Sequence, residues 1–434
     1  MTKPALIIAL ALAAVASLAA GASTYDRFPQ PKFETGYEYP VGQYPLPRPG
    51  GLQWLDVAVL TGALGAASWL ALRARSRPGL FLLGIFSLAY FGFWRKGCLC
   101  PVGSMQNVLL AAFRPSEYAA PWPAVLIFAL PLFSTLLFGR TFCAAVCPLG
   151  AIQDVAIVRP VRVPPWLNRA LGLIPYVYLA LAALVAAAGA GFLVCRYDPF
   201  VGFFRRAGPA WILATGGGLL ALGIFVARPY CRYLCPYGVL LGWMSRLSWR
   251  HPRITPDECI QCRLCETSCP FGAIRPPSPA PAEPRPARRR RALGLAARIP
   301  ALLAAGAAAG WLAGEPLARL DERVATTDRL RREDAGLETV AGVRSQTVRA
   351  SDRSFADLLA ESDAVVRFFR RGGAAAGGFL GLVVGLHLVG TALPGRRRDW
   401  EPARALCLSC GRCYTYCPRE HVRRRRLEGF EVEP

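Results

Sequence analysis

The sequence predicts an all-α membrane protein that crosses the bilayer several times. The chain has 434 residues and is 53% hydrophobic, yet it carries a formal net charge of +23. Long apolar runs alternate with arginine-rich connectors, which is the pattern of a polytopic protein whose cytoplasmic loops are enriched in Lys and Arg. Nucleic-acid binding is disfavoured, because no basic face with interleaved aromatic residues accompanies the charge.

The N-terminal region predicts that the chain begins on the outer side of the membrane. Residues 1–22 are an apolar run behind Lys3, so we interpret them as a signal peptide or a signal anchor. Residues 23–51 are rich in Pro, Tyr and Gly and should form an extended periplasmic segment. With the first run, the later apolar runs give about eight spans, or seven after signal cleavage: 53–72, 79–94, 121–139, 170–194, 209–227, 293–313 and 374–393.

Eight of the 15 cysteines form two runs with one spacing. The runs are Cys259-x-x-Cys262-x-x-Cys265-x-x-x-Cys269-Pro270 and Cys407-x-x-Cys410-x-x-Cys413-x-x-x-Cys417-Pro418. In two-cluster ferredoxins with this spacing, three close thiolates bind one 4Fe–4S cluster and the fourth binds the other. The spacing therefore predicts one cluster on Cys259, Cys262, Cys265 and Cys417, and a second on Cys407, Cys410, Cys413 and Cys269. Structural zinc, the alternative, rarely uses this triplet spacing twice.

The order of runs predicts a small α+β two-cluster ferredoxin-like domain assembled from two separated segments. Residues 251–275 supply its first half, and residues 395–434 supply its second half with a basic tail. Residues 52–250 are the membrane core. The remaining expected parts are a basic Pro/Ala/Arg linker (276–292), a span (293–313), a periplasmic helical insert (314–372) and a span (373–394). Arginines at the span ends, such as Arg140 and Arg228, place both cluster runs on the cytoplasmic side.

A short Cys-Pro phrase occurs three times, each time after an apolar run. The copies end at Cys100-Pro101, Cys147-Pro148 and Cys235-Pro236, and the tails of the first two agree in Gln106 and Gln153. We expect Cys143, Cys147, Cys231 and Cys235 at the inner membrane edge. Four thiolates there could hold an additional iron–sulfur or other metal centre, or two could form a redox-active disulfide. The alternative is that these cysteines are small buried residues at tight turns.

The first copy of the phrase is harder to place. Cys98, Cys100 and Cys195 fall on the outer face in this topology and form a weaker candidate site, because a fourth ligand is missing. Only one span separates the first phrase from the second, which predicts opposite faces for the two. A re-entrant half-helix over 104–113 would bring the phrases together.

Haem is not expected, since the chain has three histidines and no Cys-x-x-Cys-His motif. Only His387 lies within an apolar run. An ionisable residue in the middle of a span is a functional candidate by default. We consider two interpretations for it: a hydrogen bond to a neighbouring helix, and a role in proton handling or quinone contact.

The sequence resembles the NosR/NapH-type membrane polyferredoxins. The resemblance rests on residues 142–150, on residues 229–236 and on the two ferredoxin runs. It implies that electrons move from the quinol pool toward periplasmic reductases, as in nitrous-oxide and nitrate respiration. NosR itself carries a large external flavin domain. Neither 23–51 nor 315–371 contains a Ser/Thr-Gly-Ala-Thr flavinylation signature, so we expect no bound flavin and a separate flavoprotein partner.

Together these observations predict an electron-transfer subunit rather than a stand-alone enzyme. It would pass electrons between the quinone pool or a cytoplasmic donor and a periplasmic flavoprotein or reductase. A redox-active maturation or regulatory protein for a respiratory metalloenzyme is the alternative. A redox-coupled transporter is disfavoured, because the spans lack the several buried carboxylates that ion pathways usually contain.

Overall fold

The computed structural model describes residues 48–97, 99–255, 259–278, 285–337, 354–392 and 397–427. The predicted signal run, almost all of the periplasmic segment 23–51 and Cys98 lie outside the described residues. What is described is mostly helical, with one two-stranded sheet.

Thirteen helices build the membrane core in the described part of the chain. In chain order they are α1 Gly50–Leu72, α2 Arg77–Ser87, α3 Pro101–Phe113, α4 Trp122–Phe138, α5 Thr141–Ala145, α6 Pro148–Ala156, α7 Pro165–Leu171, α8 Ile174–Ala187, α9 Leu193–Tyr197, α10 Pro199–Arg205, α11 Ala210–Gly223, α12 Pro229–Tyr233 and α13 Pro236–Arg246. Helix α2 continues into a π-helical segment, Leu88–Trp94. Helices α7 and α8 together form one apolar stretch.

The other elements belong to the ferredoxin segments and to the chain between them. They are α14 Leu264–Ser268, β1 Ile274–Arg275, α15 Arg285–Ala296, α16 Ile299–Ala318, α17 Glu322–Asp334, α18 Phe355–Ala392, β2 Glu401–Pro402, a 3-10 turn Arg412–Tyr416 and α19 Pro418–Leu427. Strands β1 and β2 pair antiparallel, with Ile274 opposite Pro402 and Arg275 opposite Glu401. This pairing joins the two segments that the sequence separates.

Five helical stretches in the described part of the chain are long and apolar enough to cross a membrane. They are Gly50–Leu72, Arg77–Trp94, Pro165–Ala187, Pro286–Ala318 and Phe355–Ala392. Helices α4 and α11 are apolar but shorter. Each of the seven predicted runs after the first therefore contains an apolar helix. The total of eight or seven spans stays a prediction.

Each Cys-Pro phrase ends in a helix too short to cross a bilayer. Cys100, Cys147 and Cys235 are the N-caps of α3, α6 and α13, and the next residue is always a proline at the first helical position. Proline is favoured there because that position has no intrahelical N–H bond to lose. Helix α3 and the segment before it match the half-helix expected over 104–113.

The half-helices fill the space between full-length ones. Helices α3 and α13 both pack between α4 and α8. Helix α6 packs between α11 and the α2–π segment, and α10 contacts the same two elements. The half-helices thus form two pairs in the interior of the core.

Helices α16 and α18 form a tight hairpin, which corrects two expectations. Residues 355–371 of the predicted periplasmic insert belong to α18 and continue without a break into the span. Part of the predicted flexible linker is the helix α15. The hairpin helices touch backbone to backbone through glycines: a Cβ on Gly310 would lie 2.0 Å from the Gly373 carbonyl oxygen. Small residues at such crossings allow close helix packing in membranes.

Candidate functional site

The first ferredoxin run and the last cysteine of the second run surround one pocket. Cys259, Cys262, Cys265 and Cys417 all line it, together with Ile254 and Trp400. Cys265 and Cys417 are each 7% exposed, whereas Cys262 lies at the surface. Cys417 follows Cys265 by about 150 residues in sequence, so only the folded chain brings the four thiols together.

The remaining four ferredoxin cysteines form a second group. The thiols of Cys269, Cys407 and Cys410 all interact electrostatically with that of Cys413. Cys269, Cys407 and Cys410 pack on the same apolar cluster, around Phe271 and Leu408. In both groupings the fourth cysteine of one run lies near the first three of the other run; whether each group binds one cluster stays a prediction.

Left-handed residues shape both cysteine loops. Gln261 and Arg263 have φ of 60° and 65°, and Ser409 and Gly411 have φ of 56° and 75°. Only Gly adopts this conformation without steric cost. The alternation between left-handed and ordinary residues winds the loop tightly, which lets three cysteines with two-residue gaps face a common centre.

Each group supplies four thiols, one for each iron of a 4Fe–4S cluster. Within the described residues, no three His, Cys, Asp or Glu side chains are close enough to hold one metal ion. Burial raises the pKa of Cys265 to about 11 and that of Cys407 to about 12. These thiols are therefore protonated at neutral pH until a metal binds, and cluster loading would release their protons.

The second and third Cys-Pro phrases meet in the core beside the second group. The thiol of Cys147 interacts electrostatically with those of Cys143, Cys231 and Cys235. Cys143 packs on the same apolar cluster as Cys269, Cys407 and Cys410. We call the four thiols Cys143, Cys147, Cys231 and Cys235 the Cys-Pro centre. It lies next to the second ferredoxin group.

A buried glutamine holds one thiol of the Cys-Pro centre in place. Gln153 is 0% exposed; its Nε2 donates to Cys231 Sγ at 3.2 Å and to the Leu149 carbonyl at 2.6 Å. Its Oε1 accepts the Tyr230 N–H at 3.0 Å. All polar atoms of this side chain are thus paired, as a buried amide requires. The sequence repeat contained Gln153, but the repeat alone gave it no role.

Two arginines that we interpreted as topology markers are structural parts of the site. Arg228 is 1% exposed; it donates to the Cys143 carbonyl and pairs with Asp154 at 3.4 Å. Its guanidinium also interacts with the thiols of Cys231 and Cys410. Arg140 donates to the Ala405 carbonyl at 2.9 Å and approaches Cys143 Sγ at 3.8 Å. The signal for this role was their position directly before the Cys-Pro phrases.

Asp154 ties the second ferredoxin loop to the core. It pairs with Arg77 at 2.6 Å and with Arg412 at 3.8 Å, in addition to Arg228. Arg77 also donates to the Cys410 carbonyl at 3.2 Å. One carboxylate therefore links α2, α6, the segment before α12 and the loop that carries Cys410 and Cys413.

A second junction lies around Arg75. Its Nε is 3.0 Å from a carboxylate oxygen of Glu420, and its guanidinium stacks 4.2 Å from the centre of the Tyr414 ring. Tyr414 donates its hydroxyl hydrogen to the Ala71 carbonyl at 3.2 Å. Burial alone would raise the pKa of Glu420, but Arg423 and Arg75 outweigh it and lower that pKa. The second ferredoxin half therefore contacts the core at two separate ion-pair junctions.

The first Cys-Pro phrase is not separated from the other two. Cys100 packs on the same apolar cluster as Cys147, Cys231 and Cys235. Cys100 therefore meets the other two phrases inside the core, and the membrane face on which the first phrase lies stays a prediction. Cys195 is exposed, and its thiol interacts with that of Cys100. His387 is exposed on α18, with no hydrogen bond to it among the described residues, so any role for it stays a prediction.

Family comparisons identify iron–sulfur sequence patterns in both regions. One model described as a 4Fe-4S binding domain matches residues 120–173 and again residues 207–255. These two matches contain the second and third Cys-Pro phrases. Another model with the same description matches residues 252–275, the first ferredoxin run. No solved structure matches the chain.

Several characterised or named proteins are similar to parts of the chain. NirI of Paracoccus denitrificans is 37% identical over 128 residues, which is 27% of this chain and 18% of NirI. YccM of Escherichia coli, named for a proposed role in electron transport, is 34% identical over 25% of this chain and 33% of its own length. The regulatory protein NosR of Pseudomonas aeruginosa is 30% identical over 46% of this chain and 24% of NosR. The chain thus spans a third or less of the length of these relatives.

Proposed function

We propose that this chain, a membrane iron–sulfur protein of the NosR/NirI type, is the electron-transfer subunit of a respiratory membrane complex. It passes electrons between the quinone pool or a cytoplasmic donor and a periplasmic acceptor, such as a flavoprotein or a reductase. One observation carries the proposal: three groups of thiols adjoin one another, from the Cys259 pocket through the Cys413 group to the Cys-Pro centre. Such a series suits electron transfer better than a single catalytic site.

The ligand assignment follows the two groups of thiols. Cys259, Cys262, Cys265 and Cys417 hold one 4Fe–4S cluster, and Cys407, Cys410, Cys413 and Cys269 hold the other. When bound, each cluster takes up and releases one electron at a time. The protein supplies the ligands, excludes water and fixes the position of each site. Trp400 and Ile254 cover the first pocket, while Phe271 and Leu408 pack against the second group.

The Cys-Pro centre extends this series into the core. Its four thiols match in number the ligand set of one further cluster, and both halves of it fall in matches to a 4Fe-4S binding family model. Arg228 stands between this centre and Cys410, where its charge stabilises thiolates on both sides. We propose that Cys143, Cys147, Cys231 and Cys235 hold a third redox centre.

The orientation of the protein follows from its arginines. Basic residues cluster around the ferredoxin segments, at Arg140, Arg228, 288–291, 396–398 and 423–426. The positive-inside rule then puts the clusters on the cytoplasmic side of a bacterial inner membrane. The acceptor on the other side is a separate protein.

A maturation or regulatory role is the second candidate, and the similarity to NosR, a protein named as regulatory, favours it. The two functions differ in what a cluster-ligand variant does. Loss of respiratory electron flow with a normally assembled reductase supports electron transfer. Normal flow with a defective reductase supports maturation.

Crossed cysteine variants test the ligand assignment. Cys262→Ser and Cys417→Ser should each remove the same cluster, so the double variant should lose no more iron than either single variant. Cys262→Ser with Cys269→Ser should remove both clusters. Iron and sulfide analysis with redox-titrated EPR of the purified full chain measures this. The wild-type protein should carry about eight iron atoms in the two ferredoxin clusters, and more if the Cys-Pro centre is loaded.

The opposite pattern would overturn the exchanged assignment. In that case Cys262→Ser and Cys417→Ser would each remove a different cluster, and the double variant would lose both. Iron content near zero in the wild-type protein would overturn the proposed function itself. Vesicles containing the loaded protein should also show reoxidation of the reduced clusters by a quinone at respiratory rates.

A further inference from the structure

A fourth copy of the Cys-Pro phrase lies before α10. Residues 195–199 read Cys-Arg-Tyr-Asp-Pro, and residues 231–236 read Cys-Arg-Tyr-Leu-Cys-Pro. Asp198 is the N-cap of α10, with ψ of 118°, and Pro199 follows it. Cys100 and Cys147 hold the same place in their phrases, with ψ of 118° and 116°. The phrase therefore has four copies, and in one of them aspartate replaces the second cysteine.

A duplicated glutamine clamp shows how the copies correspond. Gln106 of α3 donates to Cys195 Sγ at 3.4 Å and accepts the Val194 N–H at 3.0 Å. Gln153 of α6 likewise donates to Cys231 Sγ at 3.2 Å and accepts the Tyr230 N–H at 3.0 Å. In each case the glutamine holds a cysteine thiol and the N–H of the residue before it. The glutamine of the first copy thus contacts Cys195 in the same way that the glutamine of the second copy contacts Cys231.

The two clamps approach the interior from opposite ends of the core. Helix α2 starts at the ferredoxin end, where Arg77 contacts the Cys410 carbonyl, and runs away from it to the first phrase. Helix α4 runs toward that end, where Arg140 contacts the Ala405 carbonyl just before the second phrase. The packing of the half-helices follows the same correspondence. Helices α3 and α13, of the first and third copies, pack between α4 and α8, whereas α6 and α10, of the second and fourth copies, pack between α11 and the α2–π segment. This is an inverted repeat of the kind that builds many membrane proteins around a central site.

The site around Cys100, Cys195 and Asp198, at the end of the core opposite the ferredoxin halves, has a different chemistry from the Cys-Pro centre. Asp198 cannot replace the missing thiol as a ligand, because its Oδ1 accepts the N–H groups of Phe200 and Val201 and its Oδ2 accepts the Tyr230 hydroxyl at 2.6 Å. Among the described residues, Cys100 and Cys195 are the thiols at this end, and Cys98 lies outside the described part of the chain. Two neighbouring thiols are sufficient for a disulfide.

Both of these thiols lie against the first turn of α3. Cys195 Sγ is 3.0 Å from the position that a Cβ on Gly103 would take. The Cys100 thiol accepts hydrogen bonds from the backbone N–H groups of Gly103 and Val102. Cys100 also interacts with Cys147 and Cys235 of the Cys-Pro centre. The pair therefore adjoins the thiol series on one side and the surface, through exposed Cys195, on the other.

We infer that Cys100 and Cys195 are a redox-active dithiol, through which the chain reduces a disulfide of a partner protein at the end of the core opposite the ferredoxin halves. The inference rests on the proposed function, because the electrons come from the iron–sulfur clusters. At the ferredoxin end the equivalent surface is covered, since Arg232 next to Cys231 packs on Gly272. At the far end Cys195, Arg196 and Arg206 are exposed. A partner with acidic residues around its disulfide fits this basic surface.

The reaction balances as a thiol–disulfide exchange. The Cys195 thiolate attacks one sulfur of the partner disulfide, and a mixed disulfide forms as the other partner sulfur leaves as a thiolate. Cys100 then attacks Cys195 Sγ, which forms the Cys100–Cys195 bond and releases the second partner thiolate. Two electrons from the clusters, with two protons, return the pair to thiols. Exposed Cys195 is accessible to the partner disulfide, which suits it to the attacking role.

Differential alkylation of the full, cluster-loaded protein in nanodiscs tests this inference, with oxidised glutathione as the disulfide probe. After oxidation, Cys100 and Cys195 should lose alkylation together, and a non-reducing digest should contain one peptide pair linked through them. Reduced methyl viologen should restore both thiols in loaded protein much faster than in iron-depleted protein. Cys100→Ser should trap a glutathione adduct on Cys195.

Two further variants separate chemistry from folding. Gly103→Ala should slow formation of the linked pair, because the new Cβ displaces Cys195, whereas Gly62→Ala, with open space around it, should not. Full alkylation of both cysteines after oxidation would overturn the inference, as would iron loss from Cys195→Ser. Iron and EPR measured on the same samples report the proposed function separately. Absent clusters with an intact Cys100–Cys195 link would defeat the proposed function and the electron supply from clusters, and would leave only the dithiol pair itself.

Discussion

The ferredoxin halves and the Cys-Pro core hold their cysteines by different physical means. In the ferredoxin halves the cysteines lie on loops with left-handed residues, supported by a five-residue helix and two-residue strands. In the core, Cys100, Cys147 and Cys235 are N-caps of packed half-helices, and Gln153 and Arg228 are buried beside them. The first region has little regular secondary structure around its cysteines, whereas packed helices surround those of the second.

Removal of iron should give the largest difference between the two regions. We expect trypsin to cleave after Arg412 in iron-depleted protein, because a loop with so little secondary structure loses its main constraint with the cluster. Cleavage after Arg140 should stay absent, since packed helices surround it. Limited digestion with mass mapping of the fragments measures this. Equal cleavage after Arg140 and Arg412 would show that the core also depends on metal.

The junction between the regions should be the next most sensitive element. Asp154→Asn removes the charge that pairs with Arg77, Arg228 and Arg412, and it leaves Arg228 buried without a counterion. Breaking a buried pair in this way costs about 3–5 kcal/mol. The expected result is earlier loss of the iron–sulfur absorbance on heating, together with faster tryptic cleavage after Arg412.

An exposed ion pair supplies the control for the junction. Glu117→Gln breaks the pair with Arg114, in which the Glu117 side chain is 42% exposed. Exposed pairs contribute about 0–1 kcal/mol, so heating should affect this variant like the wild-type protein. If Asp154→Asn behaves the same way, the ferredoxin halves are held on the core by other contacts.

The sequence predicted the helices well, because apolar runs are local signals, and these runs correspond to α1, α2 and the hairpin helices. The structure brings Cys259 near Cys417 and Cys269 near Cys413, and the exchanged ligand assignment stays a prediction. The contacts that a side chain makes after folding have no local signal in the sequence. Arg228 and Arg140 look like topology markers until the chain brings Cys143 and Ala405 beside them. Asp198 had no visible link to cysteine until its backbone matched that of the other copies.

The α16–α18 hairpin tests whether the region between the ferredoxin halves matters for joining them. Gly310→Ala would push a Cβ to 2.0 Å from the Gly373 carbonyl oxygen, so the helices must separate. Overpacking of this kind costs about 1–3 kcal/mol. Because the hairpin connects β1 to β2, we expect slower recovery of iron–sulfur absorbance after reconstitution. Gly217→Ala in α11 is the matched control, with nothing near the new Cβ.

The smallest predicted effect concerns the glutamine clamp of the Cys-Pro centre. Gln153→Leu removes the hydrogen bond to Cys231 Sγ, together with those to the Leu149 carbonyl and the Tyr230 N–H, and leaves the side-chain volume nearly unchanged. A hydrogen bond to a sulfur stabilises the more negative, reduced state, so its loss should lower the reduction potential of a centre held there. A bond of about 1 kcal/mol corresponds to about 40 mV for one electron.

Redox-titrated EPR should show this shift in the Cys-Pro centre only, with the ferredoxin signals unchanged. Gln53→Leu, which loses a bond to the Arg48 carbonyl at the surface, should shift no signal. A Gln153→Leu shift in the ferredoxin signals would instead place Cys231 in their ligand shell.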